Sequence, residues 1–234
     1  MSDLPKADLL HTMQIGMLDH LAQWIIHFMK THKRLNKYNA MLLSVPAYHD
    51  LTPKTNSYGE VSQWNGKEMK EMSRYVLGVV TQSLPGGSPT QHPIFNRAIE
   101  CTWALLEFFM YARYKSDDDA TLNYMEDALC RFHTFKDVCV LGQAGKKVKA
   151  KANALRMIFP KIHLMSHWVE QIRRYGALQQ NSAQRHEPAH KTNLNDGWNA
   201  SNHKLNCLPQ VITFEHRIVC FEIRERNLQA VAQC

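Results

Sequence analysis

The sequence predicts a mainly α protein with few or no strands. Apolar residues recur three and four positions apart along most of the chain, as they do on one face of a helix. Almost no segment alternates apolar and polar residues, which is the pattern of a half-buried strand. Clusters of proline, glycine and serine separate the periodic segments, as in residues 84–90.

The size and composition are typical of a folded protein outside the membrane. The chain has 234 residues, of which 44% are apolar and 21% are charged, and this length suits one large domain or two small ones. The longest apolar run, residues 103–112, is interrupted by Glu107 and is shorter than the roughly 18 residues of a membrane span. The first twenty residues lack the apolar centre of a signal peptide. We therefore expect an intracellular protein with no membrane contact.

The six cysteines show no C-x-x-C pair. In a chain of this length without a signal peptide, such cysteines are typical of reduced and mostly buried thiols. We therefore expect no disulfide among Cys101, Cys130, Cys139, Cys207, Cys220 and Cys234.

Two helices are predicted in the first third of the chain. The first covers residues 14–39, with an apolar stripe that comprises Ile15, Leu18, Ala22, Ile25, Ile26 and Met29. Residues 44–65 show no period and predict a long loop. The second helix is predicted to begin at Asn65, because Glu68 follows it at the spacing of a capping box.

Three further helices are predicted after residue 92. Proline suits the first position of a helix, so one helix is expected from Pro93 to Lys115, burying Ile99, Trp103, Leu106 and Met110. The run S-D-D-D at residues 116–119 predicts the N-cap and an acidic first turn of the next helix, whose apolar face comprises Leu122, Met125, Leu129, Phe132 and Phe135. Pro209 opens a last helix with a near seven-residue repeat of Val211, Phe214, Ile218, Phe221, Leu228 and Val231.

Two histidine patterns raise the question of a zinc site. Residues 186–190 read H-E-P-A-H, which matches the H-E-x-x-H pattern of zinc metallopeptidases. Pro188 lies between the two histidines and restricts them to the first turn of a helix, and Asn193 replaces the glycine of the extended motif. His163 and His167 form a second pair, which either completes a four-histidine site or flanks an ordinary amphipathic helix.

The charge of the chain suits a polyanionic partner. Lys and Arg exceed Asp and Glu by seven, and cations of this kind neutralise nucleic-acid phosphates. The candidate contacts are Lys146, Lys147, Lys149, Lys151, Arg173, Arg174, Arg185 and Lys191. Trp168, Tyr175 and Trp198 lie among them and could stack on bases. The alternative is a solvated basic face over buried aromatic residues.

Several long stretches resemble a family of cut-and-paste DNA transposases. Residues 8–21 follow its D-x-x-H, glycine and histidine signature, beginning at Asp8. The other stretches are W-N-G-K-E-M at 64–69, P-K-I-H-L-M-S-H-W at 160–168, Q-I-R-R-Y-G-A-L at 171–178, S-A-Q-R-H-E-P-A-H-K at 182–191 and D-G-W-N-A-S-N-H at 196–203. The resemblance covers nearly the whole chain. It is to the CACTA-like and Kyakuja–Dileera–Zisupton transposases, and most closely to the fungal Plavaka type.

The resemblance implies a degenerate active site. Transposases of this kind have an RNase H-like core in which three acidic residues hold two divalent ions, Mg²⁺ in the ancestral enzyme. Asp8 matches the second acid, whereas Gln184 stands where the family has a glutamate. The first acid would precede Met1. We therefore expect no transposase activity and no cofactor.

The resemblance also implies a division of the chain into four regions. Residues 1–14 would be a remnant of the RNase H-like core around the second acid, and residues 15–142 would form a helical insertion. Residues 143–158 would be a basic linker at a deletion junction. Residues 159–234 would be a C-terminal helical region that includes the final helix of the incomplete core.

The expected function is that of an inactive transposon-derived remnant with weak DNA binding, located in the nucleus if it binds DNA. One alternative is a helical protein-interaction module recruited by the host, and another is a zinc metallopeptidase acting through residues 186–190. No small-molecule substrate is expected. Self-association is expected, because a truncated core exposes apolar faces that would otherwise pack on a sheet.

Overall fold

The structure is a computed structural model that describes residues 8–48, 51, 65–85, 92–140, 160–183, 195–204 and 207–232. These residues form helices and no strand, apart from one isolated antiparallel bridge between Tyr48 and Leu51. The predicted mainly α fold is therefore confirmed. The chain divides into two compact units, Met1–Ser182 and Ala183–Cys234. The division falls inside the region predicted over residues 159–234.

The N-terminal unit is a helical assembly that begins with a π-helix at Leu9–Met17. Its α-helices are α1 (Leu18–Thr31), α2 (Leu35–Leu43), α3 (Gly66–Met72), α4 (Val76–Ser83), α5 (Pro93–Tyr111), α6 (Asp119–Phe135), α7 (Pro160–Met165) and α8 (Trp168–Tyr175). Two 3₁₀ segments, Lys136–Val140 and Leu178–Asn181, follow α6 and α8. The C-terminal unit contains α9 (Gly197–Asn199) and α10 (Cys207–Ala232).

The predicted helix starts follow from local capping. Asn65 and Glu68 form the predicted capping box, in which the Glu68 amide donates to Asn65 Oδ1 at 2.9 Å and the Asn65 amide donates to Glu68 Oε2 at 3.1 Å. Asp118 accepts from the Thr121 amide at 2.7 Å and caps α6. Pro93 occupies the first turn of α5. These three sequence predictions are confirmed.

The single helix predicted over residues 14–39 is wrong. The helical structure begins at Leu9, and α1 stops at Thr31 before α2 begins. Lys33 has a φ of 56°, in the left-handed region, which no right-handed helix can continue through. The amide of Arg34 turns back to the carbonyl of Met29 at 2.7 Å and closes this break.

The core of the N-terminal unit lies around the antiparallel pair α5 and α6. Trp24 is fully buried, and its ring stacks on Phe132 with centroids 6.4 Å apart. Trp168 is also fully buried, 5.5 Å from the ring of Phe108. An Arg131–Glu107 ion pair joins α6 to α5 across this core. Aromatic residues of four separate helices, α1, α5, α6 and α8, thus fix the arrangement of these helices.

Two expectations of burial need correction. Trp103 and Met110 were predicted on the buried face of α5 but are 45% and 46% exposed, because the helix buries Cys101, Leu105 and Phe108 instead. Four cysteines have described side chains, and all four are free, but of these only Cys101 is buried. Cys130 and Cys220 are exposed. The expectation that most thiols are buried is therefore wrong for the four described cysteines.

Candidate functional site

Asp8, the residue predicted from the resemblance as a metal ligand, caps the π-helix. Its backbone is extended, and its carboxylate accepts from the Leu10 amide at 3.1 Å and the His11 amide at 3.3 Å. The same carboxylate lies 2.5 Å from Nδ1 of His11. A carboxylate at this position satisfies amide donors that the first helical turn leaves free. Both carboxylate oxygens of Asp8 therefore already serve the helix start.

Three of the stretches that carry the transposase resemblance meet at this π-helix. A Cβ placed on Gly66, at the start of α3, would lie 2.5 Å from Leu10 Cδ1 and 3.2 Å from Gln14 Oε1. A Cβ on Gly16 would lie 2.7 Å from Lys161 Nζ in α7. Both glycines allow a close approach that any larger residue would obstruct. The stretches at 8–21, 64–69 and 160–168 thus form one packed cluster.

Four partly buried histidines lie in the N-terminal unit: His20 and His27 in α1, His32 directly after it, and His133 in α6. Burial lowers the pKa of His20, His27, His32 and His133 below the usual value of 6.5. Positive neighbours lower two of these pKa values further, namely Lys30 for His27 and Lys136 for His133. At His20 the carboxylate of Asp19 opposes the effect of burial, and Lys161 lowers the pKa by less than Asp19 raises it. The Nε2 atoms of His27 and His32 are buried and have no hydrogen-bond partner among the described residues. The folded environment therefore disfavours the protonated form of all four imidazoles.

We expect the N-terminal unit to lose stability as the pH falls below about 6.5. Because the four pKa values are lowered in the folded chain, the histidines of the unfolded chain take up protons at a higher pH than those of the folded chain. The contribution of the neutral histidines to stability is therefore fully present above pH 6.5, and it is lost as the pH falls through the folded-state pKa values. Urea unfolding at pH 7.5 and pH 5.5, both above the range of ordinary carboxyl groups, measures the effect. The pH dependence should be smaller for His27→Gln, and an unchanged midpoint for the parent chain would contradict the expectation.

The predicted histidine pair is present at the end of α7. The Nε2 atoms of His163 and His167 lie 3.3 Å apart, and their rings meet edge to face at 4.8 Å. Among the described residues, no group of three or more His, Cys, Asp or Glu side chains is arranged to hold a metal ion. His186 and His190, which would complete a four-histidine site, lie outside the described residues. The H-E-x-x-H zinc site stays a prediction.

Only two of the predicted DNA-contacting cations fall on described residues. Arg174 pairs with Glu170 at 2.5 Å, and Arg173 lies 3.9 Å from Asp119 and 3.8 Å from Glu126. Acidic neighbours therefore offset the charge of both. Gln184 and the cations Lys146, Lys147, Lys149, Lys151, Arg185 and Lys191 lie outside the described residues.

The aromatic residues proposed for base stacking differ in their exposure. Trp168 is fully buried against Phe108, as the alternative of buried aromatic residues predicts, so its ring is not accessible to a base. Tyr175 and Trp198 are 44% and 45% exposed. Their rings are accessible to a ligand in the way that stacking requires.

The structure brings together three cations that the sequence analysis missed. We call Lys70, Arg74 and Arg113 the cation cluster. Burial lowers the pKa of Lys70 and of Arg113, and the mutual proximity of the positive charges lowers both further. In the part of the chain that the structure describes, no carboxylate forms an ion pair with any of the three. Uncompensated cations at one place attract anions.

The signal for this cluster in the sequence is weak. Lys70 and Arg74 are four residues apart, a spacing that predicts one helical face, although α3 ends at Met72 and Arg74 lies in the turn before α4. Arg113 lies two residues beyond the end of α5. Its guanidinium lies over the ring of Phe109, 5.4 Å from the centroid. Only the packing of α5 against the preceding helices brings Arg113 to the other two cations.

None of the described helices is both long enough and apolar enough to cross a membrane. Comparison of the chain with protein-family models, with curated proteins and with solved structures gives no match.

Proposed function

We propose that this chain derives from a Plavaka-type transposase, no longer cuts DNA, and acts by binding DNA and by self-association. The observation that carries the loss of DNA cutting is the engagement of Asp8 as the cap of the π-helix. The origin rests on the resemblance of the sequence stretches. The packing of three of those stretches into one cluster around Gly16 and Gly66 supports it.

The residues at hand do not suit a two-metal site. Such a site needs several hard oxygen anions that face one another. The carboxylate of Asp8 is committed to two backbone amides and to His11, and position 184 carries a neutral amide in place of a carboxylate. We therefore propose no metal-dependent step, and we assign Asp8 a structural role.

The proposal of DNA binding rests on the positive charge of the chain. The net charge is +7, and the cation cluster has no acidic partner in the described part of the chain. Phosphate contacts contribute most of the affinity of non-specific DNA binding and make it dependent on salt. Exposed Tyr175 and Trp198 add accessible rings, which bind unpaired bases by stacking.

A nicking assay tests the loss of chemistry. Purified chain is incubated with labelled duplex and Mg²⁺ or Mn²⁺, beside the Asp8→Asn variant. We expect no metal-dependent cleavage from either protein. Cleavage by the parent chain that disappears in Asp8→Asn would overturn the assignment of a structural role, because the amide still accepts hydrogen bonds but is a poorer metal ligand.

A matched pair of double variants tests DNA binding at the cation cluster. We expect Lys70→Gln with Arg74→Gln to weaken binding and to reduce the slope of log affinity against log salt by about 2, since each lost phosphate contact changes it by roughly 0.9. The control, Arg173→Gln with Arg174→Gln, removes the same charge from residues that already face carboxylates. Equal weakening by both double variants, measured by fluorescence anisotropy, would count against a site at the cluster.

A helical protein-interaction module is the second candidate function. Helix α10 favours it, because Leu208, Ile212, Phe221, Ile223 and Leu228 are each more than half exposed. Large apolar side chains grouped at a surface mark sites of protein contact. A specific protein partner retained by the full chain, together with an absence of DNA binding, would favour this function over the first.

A further inference from the structure

We propose that two copies of this chain associate through a parallel, in-register coiled coil formed by the C-terminal part of α10. This inference rests on the self-association included in the proposed function, and it identifies the surface, the partner and the direction of pairing. Helix α10 runs from Cys207 to Ala232, which is long for a helix with so few buried side chains.

The apolar residues of α10 include a coiled-coil seam. The spacing alternates three and four through Val211, Phe214, Ile218, Phe221, Glu225 and Leu228, which are the a and d positions of a heptad repeat. Val211 is buried within the C-terminal unit, where it contacts Gly197 of α9. Ile218, Phe221 and Leu228 are 43%, 66% and 62% exposed. The seam is therefore covered at its start and open over its second half.

A second apolar stripe on α10 makes a poorer seam. Ile212, Val219 and Ile223 are exposed on the other side of the helix. The same three-and-four spacing along that side places His216 and Arg226 in line with them. The second stripe therefore has two polar or charged positions, whereas the first seam has one, Glu225. Its flanking positions carry Glu215 and Glu222 with no cation among them, so they offer no complementary pair.

The charges that flank the first seam favour a second copy of this chain in parallel orientation. Glu215 and Glu222 occupy the e positions, and Arg217 and Arg224 occupy the g positions. In a parallel coiled coil a g residue faces the e residue five positions further along the partner helix. Arg217 of each copy then faces Glu222 of the other, twice in the dimer.

An antiparallel pair would bring like charges together. In that orientation g positions face g positions and e positions face e positions, so arginines would face arginines and glutamates would face glutamates. Arg217 and Glu222 form no ion pair with each other or with any other described residue. Both charges are thus available for the partner helix, and only the parallel orientation matches them.

Glu225 limits the strength of the dimer. It occupies an a position, where the two copies would place carboxylates opposite each other across the seam. The apolar layers of Ile218, Phe221 and Leu228 and the flanking ion pairs outweigh this repulsion but leave a weak dimer, which forms only as the concentration of the chain rises. Replacing Glu225 with leucine should tighten the dimer by at least about tenfold, since it both removes the repulsion and buries apolar surface.

Analytical ultracentrifugation of the full chain, with reductant to keep the exposed Cys220 free, tests the pairing surface. We expect the mass to rise from 27.1 kDa toward twice that value as the concentration rises. Phe221→Ser should weaken the dimer at least about tenfold. The matched control is Ile223→Ser, which removes an apolar side chain of the other stripe that is also more than half exposed and should leave the dimer unchanged.

A charge-swap series tests the direction of pairing. Arg217→Glu and Glu222→Arg should each weaken the dimer roughly tenfold, because each converts two attractive contacts into repulsive ones. The double swap should restore the affinity to within about twofold. A strengthened dimer in Arg217→Glu, or weakening by Ile223→Ser alone, would overturn the pairing while leaving self-association intact. A chain that stays monomeric at every concentration would overturn both.

Discussion

Replacing Trp168 with alanine should lower the free energy of unfolding of the N-terminal unit by about 3–5 kcal/mol. Trp168 is fully buried at the start of α8, and its ring lies 5.5 Å from that of Phe108 in the last turn of α5. Alanine would leave a cavity between two helices that the surrounding backbone can fill only in part. This loss is large against the marginal stability of a domain of this size.

The measurement is urea unfolding of the full chain, followed by circular dichroism. Trp103→Ala is the matched control, because Trp103 is also a tryptophan of the N-terminal unit but is 45% exposed. Its main described contact is the guanidinium of Arg131, 5.6 Å from the ring, so its replacement should cost about 1 kcal/mol. Equal losses for the two variants would show that burial of Trp168 does not stabilise the core as argued.

The same residue shows where reasoning from the sequence fails at the candidate site. Trp168 lies among histidines and arginines in the chain, which suggests an aromatic ring available to a nucleic acid. In the structure α8 turns Trp168, Val169 and Ile172 to the core, while Arg173 and Arg174 remain exposed. Neighbouring residues in a helix point in different directions, so proximity in the sequence did not place the ring and the cations on one surface.

Features that depend on a few consecutive residues were predictable. Asn65 with Glu68, and Asp118 with Thr121, form caps whose partners lie three residues apart. The sequence contains both members of each interaction, and helix starts of this kind need no tertiary contact. Pro93 is predictable for the same reason, because its fixed φ suits a first helical turn.

Features that depend on packing between distant segments were not predictable. The break at Lys33 follows no proline or glycine, and the exposure of Trp103 depends on which side of α5 the other helices cover. The cation cluster needs Arg113 beside Lys70 and Arg74, which lie some forty residues earlier in the chain. A π-helix is likewise rare and is set by its surroundings.

Gly16→Ala tests whether close packing sets the π-helix at Leu9–Met17. A Cβ at position 16 would lie 2.7 Å from the carbonyl oxygen of His11 and 2.8 Å from Cδ of Lys161. The lysine side chain can move aside, but the carbonyl belongs to the backbone of the π-helix and cannot move without changing the helix itself. We expect a loss of about 2–3 kcal/mol in the free energy of unfolding, the cost of strain in a packed site.

Gly78→Ala is the control, because position 78 lies within α4 and a Cβ there would have no atom within 4 Å. The substitution should stabilise the unit by about 0.5–1 kcal/mol, since alanine favours a helix over glycine. A lower free energy of unfolding for Gly16→Ala, together with a higher one for Gly78→Ala, would show that contact with His11 and Lys161, rather than helix preference, determines the outcome at position 16. Stabilisation by both substitutions would mean that the first helix can convert to an ordinary α-helix, and that the packed cluster at its surface does not require the π form.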